Sequence, residues 1–284
     1  MPFLKHFGLK TYPFSLTPNT DLFFPTGHAE NILASLVFSV QRGDSLLKVV
    51  GPVGSGKTML CRVLLERLEG LPVNTAYLNS PAAIKPDQLP SLVLSEFGQE
   101  SRKEYDAYSL YYFLLGEHTK GRRNLLIVDE AQALGPSGLE AIRLLSNLET
   151  ATHKLLQIVL FGQAELDHIL QRRDLRQVAQ RINFNFITRE MHKSEVSAYV
   201  RFRLERCSVE SGCRVKFSPQ ALSALAKASQ GLPRMIHILA DRAFLALYAE
   251  GGFTVKLRHI DAAMEESAGK ASFFRDSFKW LRAA

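Results

Sequence analysis

The sequence predicts an α/β protein in which a five-stranded parallel sheet lies between helices and is followed by an all-helical domain. Short apolar runs alternate with amphipathic stretches up to about residue 190, a pattern typical of parallel strands covered on both faces. The octapeptide GPVGSGKT lies directly between the first apolar run and an amphipathic stretch. After residue 190 only helical patterns continue. We therefore expect two domains, residues 1–189 and residues 190–284, with a boundary near Arg189.

The positions of the elements follow from apolar periodicity and from the residues that start and stop helices. The predicted strands are Leu46–Val50, Val73–Leu78, Asn124–Asp129, Leu155–Phe161 and Ile182–Ile187. The predicted helices of the first domain are His28–Gln41, Lys57–Leu68, Asp87–Phe97, Tyr105–His118 and Ser137–Glu149; those of the second are His192–Arg206, Ser218–Ser229, Pro233–Tyr248 and Leu257–Ser267.

Three aromatic-rich stretches admit more than one interpretation. Residues 1–27 predict an extended arm packed on the core of the first domain. The tyrosines Tyr105, Tyr108 and Tyr112 fall on one side of a helix, which favours core packing over a base-stacking platform. The amphipathic segment Phe273–Trp280 could pack on the second domain, bind a partner or touch a membrane surface, and packing is the expectation for so short a segment.

Composition indicates an ordinary globular protein with anionic partners. The apolar fraction is 46% and the charged fraction is 22%, and no apolar run approaches the ~20 residues that span a bilayer. No signal peptide is evident at the N-terminus, and the three cysteines lack the spacing of a disulfide framework or a metal site. We therefore expect a reduced, cytoplasmic protein. The net charge of +7 favours nucleotide, nucleic acid or an anionic membrane face as partners.

The octapeptide predicts a phosphate-binding loop. Its three glycines permit backbone angles and close approaches that a Cβ would forbid, and the loop N–H groups can converge on a phosphate at the start of the next helix. Lys57 would pair with the β- and γ-phosphates, and the Thr58 hydroxyl would bind Mg²⁺. The alternative is a chance glycine-rich turn. Nucleotide contacts are expected from Gly51, Pro52, Val53, Gly54, Ser55, Gly56, Lys57, Thr58 and Met59.

A pair of acids after a buried strand predicts nucleotide hydrolysis. In LLIVDE, residues 125–130, four apolar residues are followed by Asp129 and Glu130. Asp129 would face the loop and bind the magnesium directly or through water. Glu130 is expected to orient or deprotonate an attacking water. The alternative is a buried strand with a solvated acidic end.

Two further residues are candidates for sensing the nucleotide. Gln163 follows the apolar strand that we expect between the loop strand and the acidic strand, so it could reach the γ-phosphate or the water. It could instead cap the next helix. Arg234, in the sequence GLPR, begins a helix of the second domain behind Pro233 and would project toward phosphate oxygens, unless it is an ordinary solvent-facing arginine.

The arginine-rich segment QRRDLRQVAQRI, residues 171–182, suggests a site shared between subunits. An arginine at the end of this helix would lie far from its own phosphate site, but it could enter the site of a neighbouring subunit. Arg181 is the first candidate and Arg176 the second. A solvated basic face is the alternative for each.

Taken together, GPVGSGKT, LLIVDE, Gln163, the arginine before the last strand and GLPR resemble the AAA+ ATPase superfamily. FGLKTYPFSLTPNTDLFF, IRLLSNLET and LLQIVLFGQAELDHIL resemble the ExeA/general secretion pathway protein A group, and the length of the chain is most similar to ATPases of MSHA pilus biogenesis. The resemblance covers nearly the whole chain. One departure is Ala164, where these proteins often have proline.

The resemblance implies a function and partners that the residues alone do not. It implies binding of ATP and ADP with Mg²⁺, ring-type homo-oligomers such as hexamers, intersubunit sites, and a mobile helical lid formed by the second domain. It further implies assembly of a type IV pilus or a secretion machine from the cytoplasm, with peripheral contact to inner-membrane components. Members of the group often carry a transmembrane segment and a peptidoglycan-binding region, and neither is expected in this chain.

Two other functions are alternatives to this one. A DNA-acting ATPase of the transposition-regulator type has a related core and also tends to be basic, so DNA is a second candidate partner. A kinase could use the same loop, but it explains neither Glu130 nor the GLPR helix.

Overall fold

Two units make up the chain in this computed structural model, which describes residues 2–81, 84–99, 106–210 and 212–267. Pro25–Arg189 form one unit, here called the sheet unit. Met1–Phe24 and Glu190–Ala284 form the other, here called the helical unit.

The elements are numbered along the chain. The strands are β1 Leu46–Val50, β2 Val73–Asn79, β3 Arg123–Asp129, β4 Gln157–Gly162, β5 Phe184–Ile187, β6 Lys216–Phe217 and β7 Thr254–Val255. The α-helices are α1 Pro2–Phe7, α2 Gly27–Arg42, α3 Lys57–Leu68, α4 Leu89–Glu96, α5 Ala107–Thr119, α6 Gly135–Leu145, α7 Ala164–Leu170, α8 Arg176–Arg181, α9 Lys193–Arg206, α10 Pro219–Ser229, α11 Pro233–Ala249 and α12 Leu257–Ser267.

The predicted five-stranded parallel sheet is confirmed in the sheet unit. Its strand order is β2-β3-β4-β1-β5, and every pairing is parallel. Strands β1 and β4 are buried along their whole length, and β3 is buried after Arg123, as expected for strands with helices on both faces. Because β4 lies between β1 and β3, the carboxyl ends of these three strands meet at one edge of the sheet.

The helical C-terminal region is also confirmed, with one correction. The region is not all-helical, because β6 and β7 form a two-stranded parallel pair within it. These strands have two residues each, which is too short to leave a recognisable alternation in the sequence.

The N-terminal segment belongs to a different unit from the one expected. Residues 1–189 were expected to form one domain, but Met1–Phe24 belong to the helical unit. The reason is apolar packing: Phe3, Phe7 and Phe14 are buried in the same core as residues of α9–α12. The segment is not wholly extended either, since Pro2–Phe7 form α1.

The tyrosine stripe of α5 does not pack in the core. Tyr108 is 74% exposed and Tyr112 is 67% exposed, so the expectation of burial was wrong for both. The buried residues of α5 are Leu110, Leu114 and Glu117. Tyr105 lies outside the described residues, as does the Phe273–Trp280 segment.

Buried hydrogen bonds join the N-terminal segment to helices α9 and α11 of the same unit. The Arg203 guanidinium is 2% exposed and donates from Nε to the Pro13 carbonyl at 2.5 Å and from a terminal nitrogen to the Leu22 carbonyl at 3.2 Å. Beside it, the His237 ring lies between the Ser15 carbonyl, 2.9 Å from Nδ1, and the Tyr199 hydroxyl, 2.6 Å from Nε2. These bonds satisfy carbonyls that the buried segment would otherwise leave unpaired.

None of the helices in the described ranges is long and apolar enough to cross a membrane.

The buried His237 should make the free energy of unfolding depend on pH. Burial, and then the nearby Arg203 charge, lower the pKa of His237 from 6.5 to about 4. The unfolded chain therefore takes up a proton near pH 6.5 that the folded chain refuses until about pH 4. The free energy of unfolding therefore keeps its full contribution from neutral His237 above pH 6.5. This contribution, at most about 3 kcal/mol, is lost as the pH falls toward 4.

The matched variant is His237→Gln, whose amide can still donate to the Ser15 carbonyl and accept from Tyr199. We expect the free energy of unfolding, measured by denaturant titration from pH 4 to 7, to fall more steeply with acid in the parent than in the variant. Equal slopes in the two proteins would contradict this account.

Candidate functional site

The loop between β1 and α3 has a backbone conformation suited to phosphate binding. Gly54 and Gly56 have φ values of 77° and 95°, in the left-handed region that favours glycine. Gly56 is the N-cap residue of α3, so the unpaired N–H groups of the first helical turn open onto the loop. This arrangement can bind an anionic phosphate through main-chain donors and the helix dipole.

Gly51 is required for a different reason. Its φ is not positive, but a Cβ at this position would lie 1.8 Å from Oγ1 of the buried residue Thr188. Thr188 follows β5, and its N–H donates to the Val50 carbonyl at 2.8 Å. Its hydroxyl lies 2.8 Å from the Ser55 hydroxyl, within hydrogen-bonding distance. Thr188 thus supports both ends of the loop.

Lys57 projects into the loop. It is 4% exposed, and its Nζ donates to the carbonyls of Gly51 and Pro52 at 2.9 Å each. Burial lowers the pKa of Lys57, while the charges of Glu130 and Asp129 partly oppose that shift. The loop therefore holds its cation beside two acids.

Asp129 joins three elements at the carboxyl end of β3. Its side chain is buried, and Oδ2 accepts hydrogen bonds from the Thr58 hydroxyl at 2.7 Å and the Tyr77 hydroxyl at 3.3 Å. The Thr58 and Asp129 oxygens are hard ligands that meet at one point, which is the donor set that Mg²⁺ prefers. Burial and the Asp129 charge raise the pKa of Tyr77, so its hydroxyl stays a donor.

Glu130 follows Asp129 in a left-handed conformation, with φ 53° and ψ 42°. Such a conformation costs a residue other than glycine about 1–3 kcal/mol, so the surroundings must enforce it. Here the Glu130 N–H donates to Asp129 Oδ1 at 2.9 Å. Two side-chain amides, those of Gln132 and Gln163, donate to Glu130 Oε2 at 2.5 and 2.7 Å.

Most of the predicted site residues of the sheet unit come together in this way. Lys57, Thr58, Asp129, Glu130 and Gln163 surround the loop at the edge where β1, β3 and β4 end. Of the remaining loop positions, Val53 is exposed, whereas Pro52, Ser55 and Met59 are half-buried.

The arginines predicted in α8 are not bonded to this cluster among the described residues, and the third predicted arginine lies in the other unit. Arg176 begins α8 and is exposed, while Arg181 ends α8 and is half-buried. In the described ranges, neither side chain makes a hydrogen bond or ion pair with the loop or with the two acids. Arg234 is exposed in the first turn of α11, in the helical unit.

Sequence reasoning missed three supporting residues: Tyr77, Gln132 and Thr188. Tyr77 reaches Asp129 only because β2 and β3 pair in a particular register, Asn79 opposite Asp129. Gln132 reaches Glu130 through the left-handed turn, and Thr188 reaches the loop because β5 pairs with β1. A signal was present only for Gln132, which is two residues from the acid pair.

The sheet order, the phosphate loop and the acid pair that ends β3 define an AAA-type P-loop fold. Residues 40–170 match the family described as AAA domain. The chain is similar in fold to the ORC2 protein of Aeropyrum pernix, with a TM-score of 0.69, 18% identity, and coverage of 93% of this chain and 74% of that one. It is also similar to the RuvB Holliday junction branch migration motor of Thermotoga maritima, with a TM-score of 0.56, 17% identity, and coverage of 95% of this chain and 81% of that one.

A curated relative shares much more sequence. The chain is 37% identical over 286 residues to General secretion pathway protein A of Aeromonas hydrophila, which covers 98% of this chain. The chain spans about half, 50%, of the length of that relative. This similarity supports the resemblance to the general secretion pathway protein A group.

Gly51→Ala should disable the loop, because the new methyl group would overlap the Thr188 hydroxyl. We expect the Kd for an ATP analogue, measured by calorimetry, to rise roughly 5- to 140-fold, which corresponds to an overpacking penalty of about 1–3 kcal/mol. Gly116→Ala is the matched control, since nothing lies within 4 Å of a Cβ there.

A second variant tests the assigned cause. Thr188→Ala removes Oγ1 and leaves the Thr188 Cβ, 3.0 Å from the added methyl group, so the double variant should recover part of the lost affinity. Wild-type affinity in Gly51→Ala would show that the loop tolerates a side chain at this position.

Proposed function

We propose that this protein binds and hydrolyses ATP in the presence of Mg²⁺. The observation that carries the proposal is the position of the Glu130 carboxylate. It lies beside the phosphate loop and the Thr58–Asp129 pair, where a binding site for phosphate alone would need no second acid.

Different groups of the loop bind the phosphates and the metal ion of the nucleotide. The main-chain N–H groups of residues 51–58 bind the phosphates, and Lys57 exchanges its bonds to the Gly51 and Pro52 carbonyls for bonds to phosphate oxygens. Thr58 and Asp129 fit the Mg²⁺ ion. When bound, this ion neutralises charge that develops on the phosphates.

Glu130 and Gln163 act at the end of the triphosphate. The Glu130 carboxylate orients the attacking water and accepts its proton. Gln163 contacts the γ-phosphate or the water and also donates to Glu130, so it connects the nucleotide to the base. Departure of the phosphate thereby changes the contacts of a residue at the start of α7.

Two substitutions separate binding from hydrolysis. Lys57→Ala should weaken ATP binding, because the loop loses its only side-chain cation. Glu130→Gln should bind ATP with nearly unchanged affinity but hydrolyse it roughly 100-fold more slowly or worse, because the amide cannot accept the proton.

Binding is measured with a fluorescent ATP analogue and turnover by phosphate release. Glu69→Gln, an exposed acid just after α3, is the matched control and should behave as wild type. Normal turnover in Glu130→Gln would show that Glu130 is not the base.

We further propose that the sites are shared between subunits of a ring-shaped homo-oligomer such as a hexamer. The support is the AAA-type fold, together with the lack, among the described residues, of any hydrogen bond or ion pair between the arginines of α8 and the acid pair of their own chain. Arg181, with Arg176 as second candidate, enters the site of the neighbouring subunit. Arg234 contacts the nucleotide from the helical unit, which acts as a lid.

Mixed oligomers test the shared site. Arg181→Ala should be inactive alone but regain activity when mixed with Lys57→Ala subunits, because some interfaces then combine an intact loop with an intact arginine. Activity is measured by phosphate release across a series of mixing ratios. Mixtures that stay inactive would remove Arg181 from this role, and the same series with Arg176→Ala examines the second candidate.

The role of the hydrolysis is proposed from the curated relative. The protein acts as a motor or switch that supports assembly of a secretion machine or a type IV, MSHA-like pilus, from the cytoplasm and at the periphery of the inner membrane. The support is 37% identity to General secretion pathway protein A. Chromosomal replacement by Glu130→Gln should abolish surface pili or secreted protein. Normal amounts of both would reject this role.

A DNA-acting ATPase is the second candidate, and the excess of 35 basic over 28 acidic residues favours it. In that case duplex DNA should bind with an affinity that falls steeply with salt and should stimulate ATP hydrolysis. Hydrolysis that is indifferent to DNA at low salt would exclude it.

A further inference from the structure

We propose that Gln132 is a positioning residue for ATP hydrolysis: it fixes the Glu130 carboxylate by one oxygen and leaves the other oxygen for the attacking water. This inference rests on the proposed function. Gln132 lies in the 3₁₀ turn Ala131–Leu134 that follows the acid pair.

The Gln132 amide bridges two strand ends. Its Nε2 donates to Glu130 Oε2 at 2.5 Å, and its Oε1 accepts from the main-chain N–H of Gln163 at 3.1 Å. Glu130 follows β3 and Gln163 follows β4, so a single side chain connects the ends of neighbouring strands. Both halves of the amide are used, which fixes its orientation.

The second amide acts on the same oxygen. Gln163 Nε2 donates to Glu130 Oε2 at 2.7 Å, so this oxygen receives two protein donors. In the described part of the chain, no protein donor bonds to Oε1. Donors from two different elements restrict rotation of the carboxylate, and they direct the unbonded oxygen away from both amides.

The local backbone brings Gln132 into this position. The left-handed conformation of Glu130 reverses the chain, and the Ala133 N–H donates to the Glu130 carbonyl at 2.8 Å. Gly162 leaves space on β4 for two side chains, because a Cβ there would lie 2.6 Å from Leu166 Cδ2 and 3.1 Å from Gln132 Oε1. The turn, the glycine and the two amides therefore form one unit around the carboxylate.

The alternative is that Gln132 only holds the turn together. The two roles differ in what they change. A residue that merely stabilises the turn affects folding or nucleotide binding, and it does so whether or not Glu130 is a carboxylate. A positioning residue affects the rate of hydrolysis and acts only through that carboxylate.

The test uses the full-length protein with Gln132→Met, which keeps the side-chain length but loses both amide hydrogen bonds. We expect binding of a non-hydrolysable ATP analogue within about twofold of wild type and single-turnover hydrolysis slower by roughly 10- to 100-fold. In a Glu130→Gln background, Gln132→Met should slow hydrolysis no further. Gln41→Met, an exposed amide on α2, is the control.

Gln132→Glu provides a second variant should Gln132→Met fold poorly. It keeps an oxygen for the Gln163 N–H but loses the donor to Glu130, so hydrolysis should again be slowed with binding retained. Wild-type turnover in either folded variant, or an equal loss in the Glu130→Gln background, would overturn the positioning role. Absence of hydrolysis in the wild-type protein would instead reject the proposed function itself.

Discussion

The parallel pairing of β1, β4 and β3 is the constraint on which the rest of the site depends. Val50 pairs with Gly162 and Val128 pairs with Leu160, so the three strands end at nearly the same level of the sheet. The loop, the acid pair and Gln163 then follow from adjacent points. The Gly51 N–H even donates to the Gly162 carbonyl at 3.2 Å, which continues the sheet pairing into the phosphate loop.

The charged groups at this edge are hydrogen-bonded within the protein. Lys57 is buried between loop carbonyls, Asp129 is bonded to two hydroxyls, and Glu130 is bonded to two amides. Such hydrogen bonds offset much of the cost of burying charge. A nucleotide with its metal can take over the contacts of Lys57 and Thr58, while the amides around Glu130 can remain. The site is therefore preorganised around Glu130, the proposed base, and adaptable around Lys57.

Local features could be predicted from the sequence, whereas features set by register could not. The bounds of β1 and α3 agree with the structure because the octapeptide fixes both neighbours. Tyr77 and Thr188 were missed because their roles require knowing which strands pair. Phe3, Phe7 and Phe14 were correctly expected to pack, but sequence alone did not reveal against which unit. The same ambiguity explains why Tyr108 was wrongly expected to be buried, because the helical spacing of aromatic residues does not show which face of the helix is buried.

The most direct measurement is an experimental structure with Mg²⁺ and a non-hydrolysable ATP analogue. Our account predicts phosphates within the loop, Thr58 and Asp129 oxygens directed at the metal, and Glu130 still bonded to Gln132 and Gln163 with its second oxygen toward the γ-phosphate. A nucleotide bound elsewhere, or a Glu130 carboxylate turned away from the γ-phosphate and separated from both amides, would contradict the central claim that this sheet edge is a hydrolytic site.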